Sequence, residues 1–283
     1  MPTPLPQGPT TRQQLMSPAD YERIKSAILT LVAVDLNYYK PHQMVRRLTG
    51  FVERHRASSV AEFCKRLEAD AALRNALKDF LTINVTEFFR DTLQFELLEK
   101  QVLPEILRQS PSPRIWSAGC SRGAEAYSVA MVLEDLRPGS RYHIRGTDLD
   151  REVVRIAKAG GPYEDPDLRS ASPRRLMTYF TKTPTGRIVK PEIKAHTEFK
   201  EGNLLTDRFD SGFDLVMCRN VVIYFSDPAK EDLNRRFSAS LRPGGFLFIG
   251  GTETIMDPKA FGFERASSCF YRKTNREAQK AAA

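Results

Sequence analysis

Five polar segments of this 283-residue chain, each placed beside an apolar run, carry residue types that bind or transfer small charged groups. In AGCSRGAEAYS, residues 118–128, the glycines follow neither the GxxxxGK[ST] of a triphosphate loop nor the GxGxxG of a dinucleotide loop. Gly119 and Gly123 still admit backbone close to a ligand, and Glu125 falls in the first turn of a helix, where a carboxylate suits an aminoacyl ammonium or a sulfonium. The plainer alternative is that Glu125 complements the helix dipole. In TDLD, 147–150, Asp148 ends an apolar strand where ribose hydroxyls are held in nucleoside-binding folds, while Asp150 caps the helix starting at Arg151. Asn203, in EGNLLTD, has an amide that matches the edge of adenine and equally well closes a turn. Arg219 and Asn220 interrupt FDLVMCRNVVIYFSDP, with Tyr224 able to offer a hydroxyl beside a transferable group or simply to be a buried tyrosine with one hydrogen bond. In LTINVTEFFRD, 81–91, Thr86 reads as a helix cap and Phe88 and Phe89 as core, but Arg90 presents a guanidinium suited to bidentate pairing with a carboxylate.

These segments acquire meaning from the elements that position them. From Arg114 onward, apolar strands (RIWSAG, YHIRGTDL, HTEFKEGNL, FDLVMCRN, GFLFIGG) alternate with helices (GAEAYSVAMVLEDL, REVVRIAKAG, AKEDLNRRFSASL). This pattern predicts an α/β fold with a mostly parallel sheet covered on both faces, whose ligands bind beyond the carboxyl ends of the strands. FERASSCFYRK reads as one last, antiparallel strand, and TKTPTGRIVKPE, 181–192, as an inserted β-hairpin. Between Asp20 and Leu81 the apolar spacing is helical throughout, which predicts a bundle of about four helices. The expected domains are a disordered segment 1–17, a helical domain 18–82, an α/β domain 83–274 with a β-subdomain at about 178–198, and a tail 275–283.

Composition narrows the classes. No apolar run approaches the ~18 residues of a membrane span, the start MPTPLPQGPTTRQQ lacks the apolar core of a secretory signal, and a cytoplasmic location is expected. The four cysteines are scattered without a CxxC pair or nearby histidine, so no metal site is expected. A net charge of +8 and a pI near 9.3 call for an acidic partner, which charge alone does not identify.

Taken together and in order, NVTEFFR, AGCSRGAEAYS, GTDLD, GNLL, CRNVVIYF and LRPGGFLFIGGTE resemble the chemotaxis-receptor glutamate methyltransferases, the CheR family, over roughly residues 20–273. The resemblance implies an all-helical N-terminal domain joined to a class I, Rossmann-like methyltransferase domain with a small β-subdomain, and S-adenosylmethionine as cofactor with S-adenosylhomocysteine as product. It implies that Asn84, Thr86, Arg90, Glu125, Asp148, Asn203, Leu204, Arg219 and Asn220 line the cofactor site, with Arg90 and Tyr224 nearest the methyl group and the incoming substrate. The family's first loop usually reads GCSTGEEPYS; here Arg122, Ala124 and Ala126 replace Thr, Glu and Pro.

The reaction so implied is attack of a receptor glutamate on the sulfonium methyl, for sensory adaptation. With a pKa of about 4.3 that carboxylate is ionised at neutral pH and needs no general base, which fits a chain with four histidines and no visible nucleophile–base pair. The implied partners are the cytoplasmic methylation helices of chemoreceptors, met by Lys40, Arg46, Arg47, Arg54 and Arg56 of the helical domain; a solvated helix face is the alternative for those charges. The short hairpin leads us to expect no need for a receptor tethering peptide, and a monomer is expected, with neither membrane insertion nor nucleic acid as partner. Two other classes stand beside this one: a nucleic-acid methyltransferase, suggested by charge but lacking an Asn-Pro-Pro-aromatic motif for a flipped base, and a catalytically weak signalling adaptor, suggested by the altered first loop.

Overall fold

The computed structural model describes residues 16–82 and 84–274; the disorder expected before residue 16 and beyond residue 274 falls outside them. At the start of the described residues the Met16 N–H donates to Thr49 Oγ1 at 3.2 Å, and Ser17 caps the first helix. The chain forms two compact units, which divide between Lys78 and Asp79, four residues before the expected boundary.

The first unit is helical: α1 (Pro18–Val32), α2 (Pro41–Arg54), α3 (Val60–Ala69) and most of α4 (Ala71–Thr82). Each starts on a recognisable signal. Ser17 accepts the Asp20 N–H with Pro18 in the first turn, Pro41 opens α2, and Ser59 accepts the Glu62 N–H. Tyr21, Ile24, Ile28 and Val32 of α1 are buried at three- and four-residue spacing, as are Phe63 and Leu67 of α3, and these two helices pack together. Along α2, Arg46 and Arg54 are exposed and Arg47 half-buried, while Lys40 precedes the helix and exposed Arg56 follows it. These charges extend over the helix's whole length, about 21 Å at 1.5 Å per residue.

The second unit takes in the end of α4 and continues with α5 (Thr92–Leu97), a π-helical turn (Leu98–Val102) and α6 (Leu103–Gln109). There follow β1 (Arg114–Ala118), α7 (Ala124–Leu136), β2 (His143–Asp148), α8 (Arg151–Ala159), the short α9 (Asp165–Leu168) and α10 (Pro173–Tyr179). The hairpin β3 (Phe180–Thr183) and β4 (Gly186–Val189) leads through α11 (Pro191–Lys194) to β5 (Thr197–Glu201) and β6 (Phe213–Cys218). The chain ends in α12 (Asp227–Ser240), β7 (Leu241–Ile249), β8 (Phe263–Arg265) and β9 (Phe270–Lys273).

The main sheet has seven strands in the order β5-β2-β1-β6-β7-β9-β8, parallel from β5 through β7, with β9 antiparallel to both β7 and β8. The order reverses direction at β1 and β6, and the crevice beyond the ends of those two strands is where such sheets take ligands. Register places Trp116, Arg145 and Glu198 in one row. Phe237 of α12 packs on Trp116 (5.7 Å between rings), whereas Tyr127 of α7 packs on Phe199, which the pleat turns to the opposite face. Helices therefore cover both faces, as expected.

FERASSCFYRK is not one strand but two, β8 and β9, because Ala266 and Ser267 turn back to donate to Phe270 O. The helices over 92–109 were not anticipated. Pro104 follows directly on the π-helical turn Leu98–Val102, whose wider bonding carries the chain into α6.

Candidate functional site

Three turns meet at the crevice. The first leaves β1. Gly119 and Cys120 donate their N–H groups to Thr147 O at 2.8 and 2.9 Å, which ties the turn to the end of β2. Gly119, Ser121 and Gly123 all have positive φ (82°, 47° and 87°). A Cβ on Gly119 would lie 2.6 Å from Val221 Cγ2, and one on Gly123 would lie 3.0 Å from both the Ala157 methyl and the Phe199 ring. Only glycine satisfies the left-handed backbone and the close approach together. The turn delivers Glu125 into the first helical turn of α7 with a directed partner set, rather than as a general complement to the dipole. Ser117 Oγ donates to its Oε1 at 2.7 Å and Arg219 to its Oε2 at 3.2 Å.

The second turn, after β2, holds Asp148. Its carboxylate accepts the Ser121 N–H at 2.7 Å and the Asp150 N–H at 3.0 Å, while Asp150 caps α8 through the Glu152 N–H and accepts from Asn84 Nδ2 at 2.6 Å. Burial pushes the Asp148 carboxyl above the usual aspartate range, with the neighbouring N–H groups opposing the shift.

The third turn follows β6. Arg219 is 2% exposed and is the hub of the crevice. Its guanidinium donates to Glu125, to Asp91 Oδ2 at 2.8 Å, to Gln94 Oε1 at 3.3 Å and to the Arg90 carbonyl at 3.0 Å, and lies over Phe248 and Phe95, 4.5 and 5.3 Å from the ring centres. Arg219 thereby joins β6, α7 and the segment 84–91. A buried cation is tolerable only because carboxylates and carbonyls surround it.

That segment is itself strained. Phe89 and Asp91, on either side of Arg90, have φ of 55° and 62°, a conformation costly for side chains with a Cβ. Ser128, fully buried on α7, accepts the Phe89 N–H at 3.0 Å, and Arg219 holds Asp91. Phe88 packs edge-on against Tyr163 and Phe180, so both phenylalanines are core as expected. Glu87 accepts from Arg169 and Ser170, and chiefly the Arg169 hydrogen bond holds its carboxyl below the usual glutamate range. Arg90 itself is half-buried, with one guanidinium nitrogen on the Val85 carbonyl at 3.1 Å. Thr86 is half-buried and does not cap α5; Asp91 occupies the N-cap position, because the chain turns there rather than at Thr86.

Asn203 and Leu204 stand farther along, after β5. The Asn203 amide oxygen accepts the Leu205 N–H at 2.9 Å, so the turn-forming role is real. Both residues line a cleft of about 140 Å³ shared with Trp116, Thr147, Phe209 and Phe213. Trp116 Nε1 donates to Thr147 Oγ1 at 2.9 Å, and its ring meets Phe209 at 4.6 Å. Half-buried Tyr224 ends the 3-10 turn Val222–Tyr224 immediately beyond Asn220. Among the described residues no group of His, Cys, Asp or Glu is arranged to hold a metal ion, and no helix is long and apolar enough to cross a membrane.

The same two stretches are recognised by comparison. Residues 84–270 match the family model described as CheR methyltransferase, SAM binding domain, and residues 19–82 match CheR methyltransferase, all-alpha domain. The chain belongs to the CheR methyltransferase family. It is similar to the chemotaxis protein methyltransferase of Listeria monocytogenes, 37% identical over 256 residues, 90% of this chain and 97% of that one. It is also similar to chemotaxis protein methyltransferase 1 of Pseudomonas aeruginosa, 36% identical over 249 residues, covering 84% and 90% of the two chains. Among solved structures, a TehB-like SAM-dependent methyltransferase from Corynebacterium glutamicum is similar with a TM-score of 0.37 and 16% identity, over 62% of this chain and 84% of that one.

S-adenosylmethionine is the cofactor of CheR methyltransferases, and the crevice fits it. Carboxylates at Glu125 and Asp148 match a cationic amino acid and a ribose, and the two positive-φ glycines of the first turn leave room for backbone to approach. The substitutions in the first loop are accommodated: Ala124 and Ala126 are fully buried, and Arg122 pairs with Asp167 while its carbonyl accepts from Tyr163. Asp91, Gln94, Ser117, Ser128 and Glu253 belong to the crevice and were not anticipated. Asp91 adjoins NVTEFFR, and Ser128 and Glu253 close AGCSRGAEAYS and LRPGGFLFIGGTE, but the roles of these five side chains depend on contacts that the motifs do not reveal.

Proposed function

We propose that this CheR methyltransferase esterifies glutamate side chains of chemoreceptors, giving glutamate methyl ester and S-adenosylhomocysteine in the cytoplasm for sensory adaptation. The observation carrying this reading is the Arg219 hub, which draws Arg90, Glu125 and Asn220 to one crevice. Asn84, Thr86, Glu125, Asp148, Asn203, Leu204, Arg219 and Asn220 would hold the cofactor, whose bound form supplies an electrophilic methyl to a substrate carboxylate. A substrate glutamate arrives ionised, so the protein's task is orientation and exclusion of water rather than proton removal. Arg90, fixed between two strained residues, orients the incoming carboxylate, and Tyr224 confines the space beside it.

The basic residues Lys40, Arg46, Arg47, Arg54 and Arg56 serve an acidic receptor helix in this reading. The four-residue strands of the β3–β4 hairpin support action on receptors without a tethering peptide, and the protein acts as a monomer in this reading. Incubation with methyl-labelled S-adenosylmethionine and chemoreceptor should yield base-labile label on the receptor. Label on RNA, or none on either, would reject the reading in favour of a nucleic-acid methyltransferase or an adaptor. Arg90→Ala should reduce kcat/KM on receptor about a hundredfold, and unchanged kinetics would remove Arg90 from the mechanism.

A further inference from the structure

Glu253 lies in GGTETI, after β7, in a stretch that reads as an ordinary turn. The residue is 7% exposed. One oxygen, Oε2, accepts the Gly250 N–H at 2.6 Å and the Asn220 N–H at 3.1 Å, which ties the end of β7 to the end of β6. The other, Oε1, is buried with no hydrogen-bond partner among the described residues. Gly250 is shaped for this contact, since a Cβ there would lie 2.7 Å from Oε2 and 3.0 Å from the Asn220 nitrogen. Asn220 has φ of 59°, a conformation that asparagine adopts as a single residue when local hydrogen bonds support it. A half-satisfied buried carboxylate is an expensive way to make an ordinary turn. Burial does push the Glu253 carboxyl above the usual range, against the pull of the Gly250, Asn220 and Val221 N–H groups and the Arg219 charge.

We propose that Glu253 is a positioning residue: one of its oxygens fixes the left-handed turn at Asn220, and so fixes the direction in which the Asn220 side chain meets the cofactor. The role rests on the cofactor reading of the crevice and gives a task to the last residue of LRPGGFLFIGGTE, which the resemblance leaves without one. What matters is the location of an acceptor oxygen, not the charge. Glu253→Gln keeps an oxygen at the same reach, Glu253→Asp keeps the charge but withdraws it by one methylene, and Glu253→Ala removes both.

The test is calorimetric titration of S-adenosylhomocysteine into the four full-length proteins, with melting temperatures recorded alongside. Affinity should fall about tenfold in the Ala and Asp variants and stay within about threefold of wild type in the Gln variant. Amide exchange over 218–225 should accelerate in Ala and Asp and recover in Gln. Wild-type affinity in the Ala or Asp variant, or a Gln variant as weak as Ala with an unchanged melting temperature, overturns the proposal while leaving the cofactor reading intact. Failure of the wild type itself to bind overturns both.

Discussion

The turns after β1 and β6 lie side by side, and both contain left-handed backbone, yet they achieve it by opposite means. The β1 turn has glycine at two of its three positive-φ positions, Gly119 and Gly123, and is anchored by main-chain bonds to Thr147. The β6 turn places a side-chain-bearing residue, Asn220, in that conformation and holds it with Glu253 while Arg219 braces the neighbouring segment. One turn relieves most of its strain by omitting side chains, Ser121 excepted, whose N–H the Asp148 carboxylate holds. The other keeps side chains in strained positions through buried polar contacts, as expected where those side chains act on a ligand. Phe89 and Asp91 beside Arg90 follow the second pattern.

The contrast breaks most severely at its hub. Arg219→Met should strand Glu125 and Asp91 and lower stability by about 3 kcal/mol, near the lower end for a broken buried pair because Asp91 is 40% exposed; urea unfolding measures this. Gly119→Ala tests the glycine-dependent turn. The left-handed conformation costs about 1–2 kcal/mol for a residue with a Cβ, and the overlap with Val221 adds to it, so a clear drop in melting temperature is expected.

Asn220→Gly tests the other turn, with the opposite sign for stability. Relief of the left-handed strain should leave the fold as stable or raise stability by up to about 1 kcal/mol, while S-adenosylhomocysteine affinity measured by titration falls. A loss of stability together with unchanged affinity would reverse the comparison.

The smallest effect is electrostatic and concerns the segment beside the β6 turn. Because the folded-state pKa of Glu87 is depressed by Arg169, its contribution is present above the unfolded value near 4.5 and lost as pH falls through the lower folded value. Glu87→Gln should therefore flatten the decline of melting temperature below about pH 4.5, a difference read by circular dichroism across an acid series.

The two turns also differ in how far the sequence discloses them. Glycines between a strand and a helix are a local signal, and the alternation of apolar strands with amphipathic helices made the parallel sheet, the helical unit and the hairpin legible. Glu125, Asp148 and Arg219 could be named because each stands at a strand end or helix start. Glu253 and Gln94 could not. Their partners lie 33 and 125 positions away, and their significance arises only when β6 and β7 pair and α5 packs above them. Asn203 was ambiguous because turn-forming and ligand-facing asparagines look identical in sequence; the structure commits its oxygen to the turn.

Trp116 is the chain's single tryptophan, and it stands in the wall of the cleft that contains Asn203 and Leu204. Nature has thus installed one intrinsic fluorophore beside the place where an adenine is expected. Indole emission from the unmodified protein is expected to shift when S-adenosylhomocysteine enters that cleft, a label-free optical gauge without interference from a second emitter of its kind.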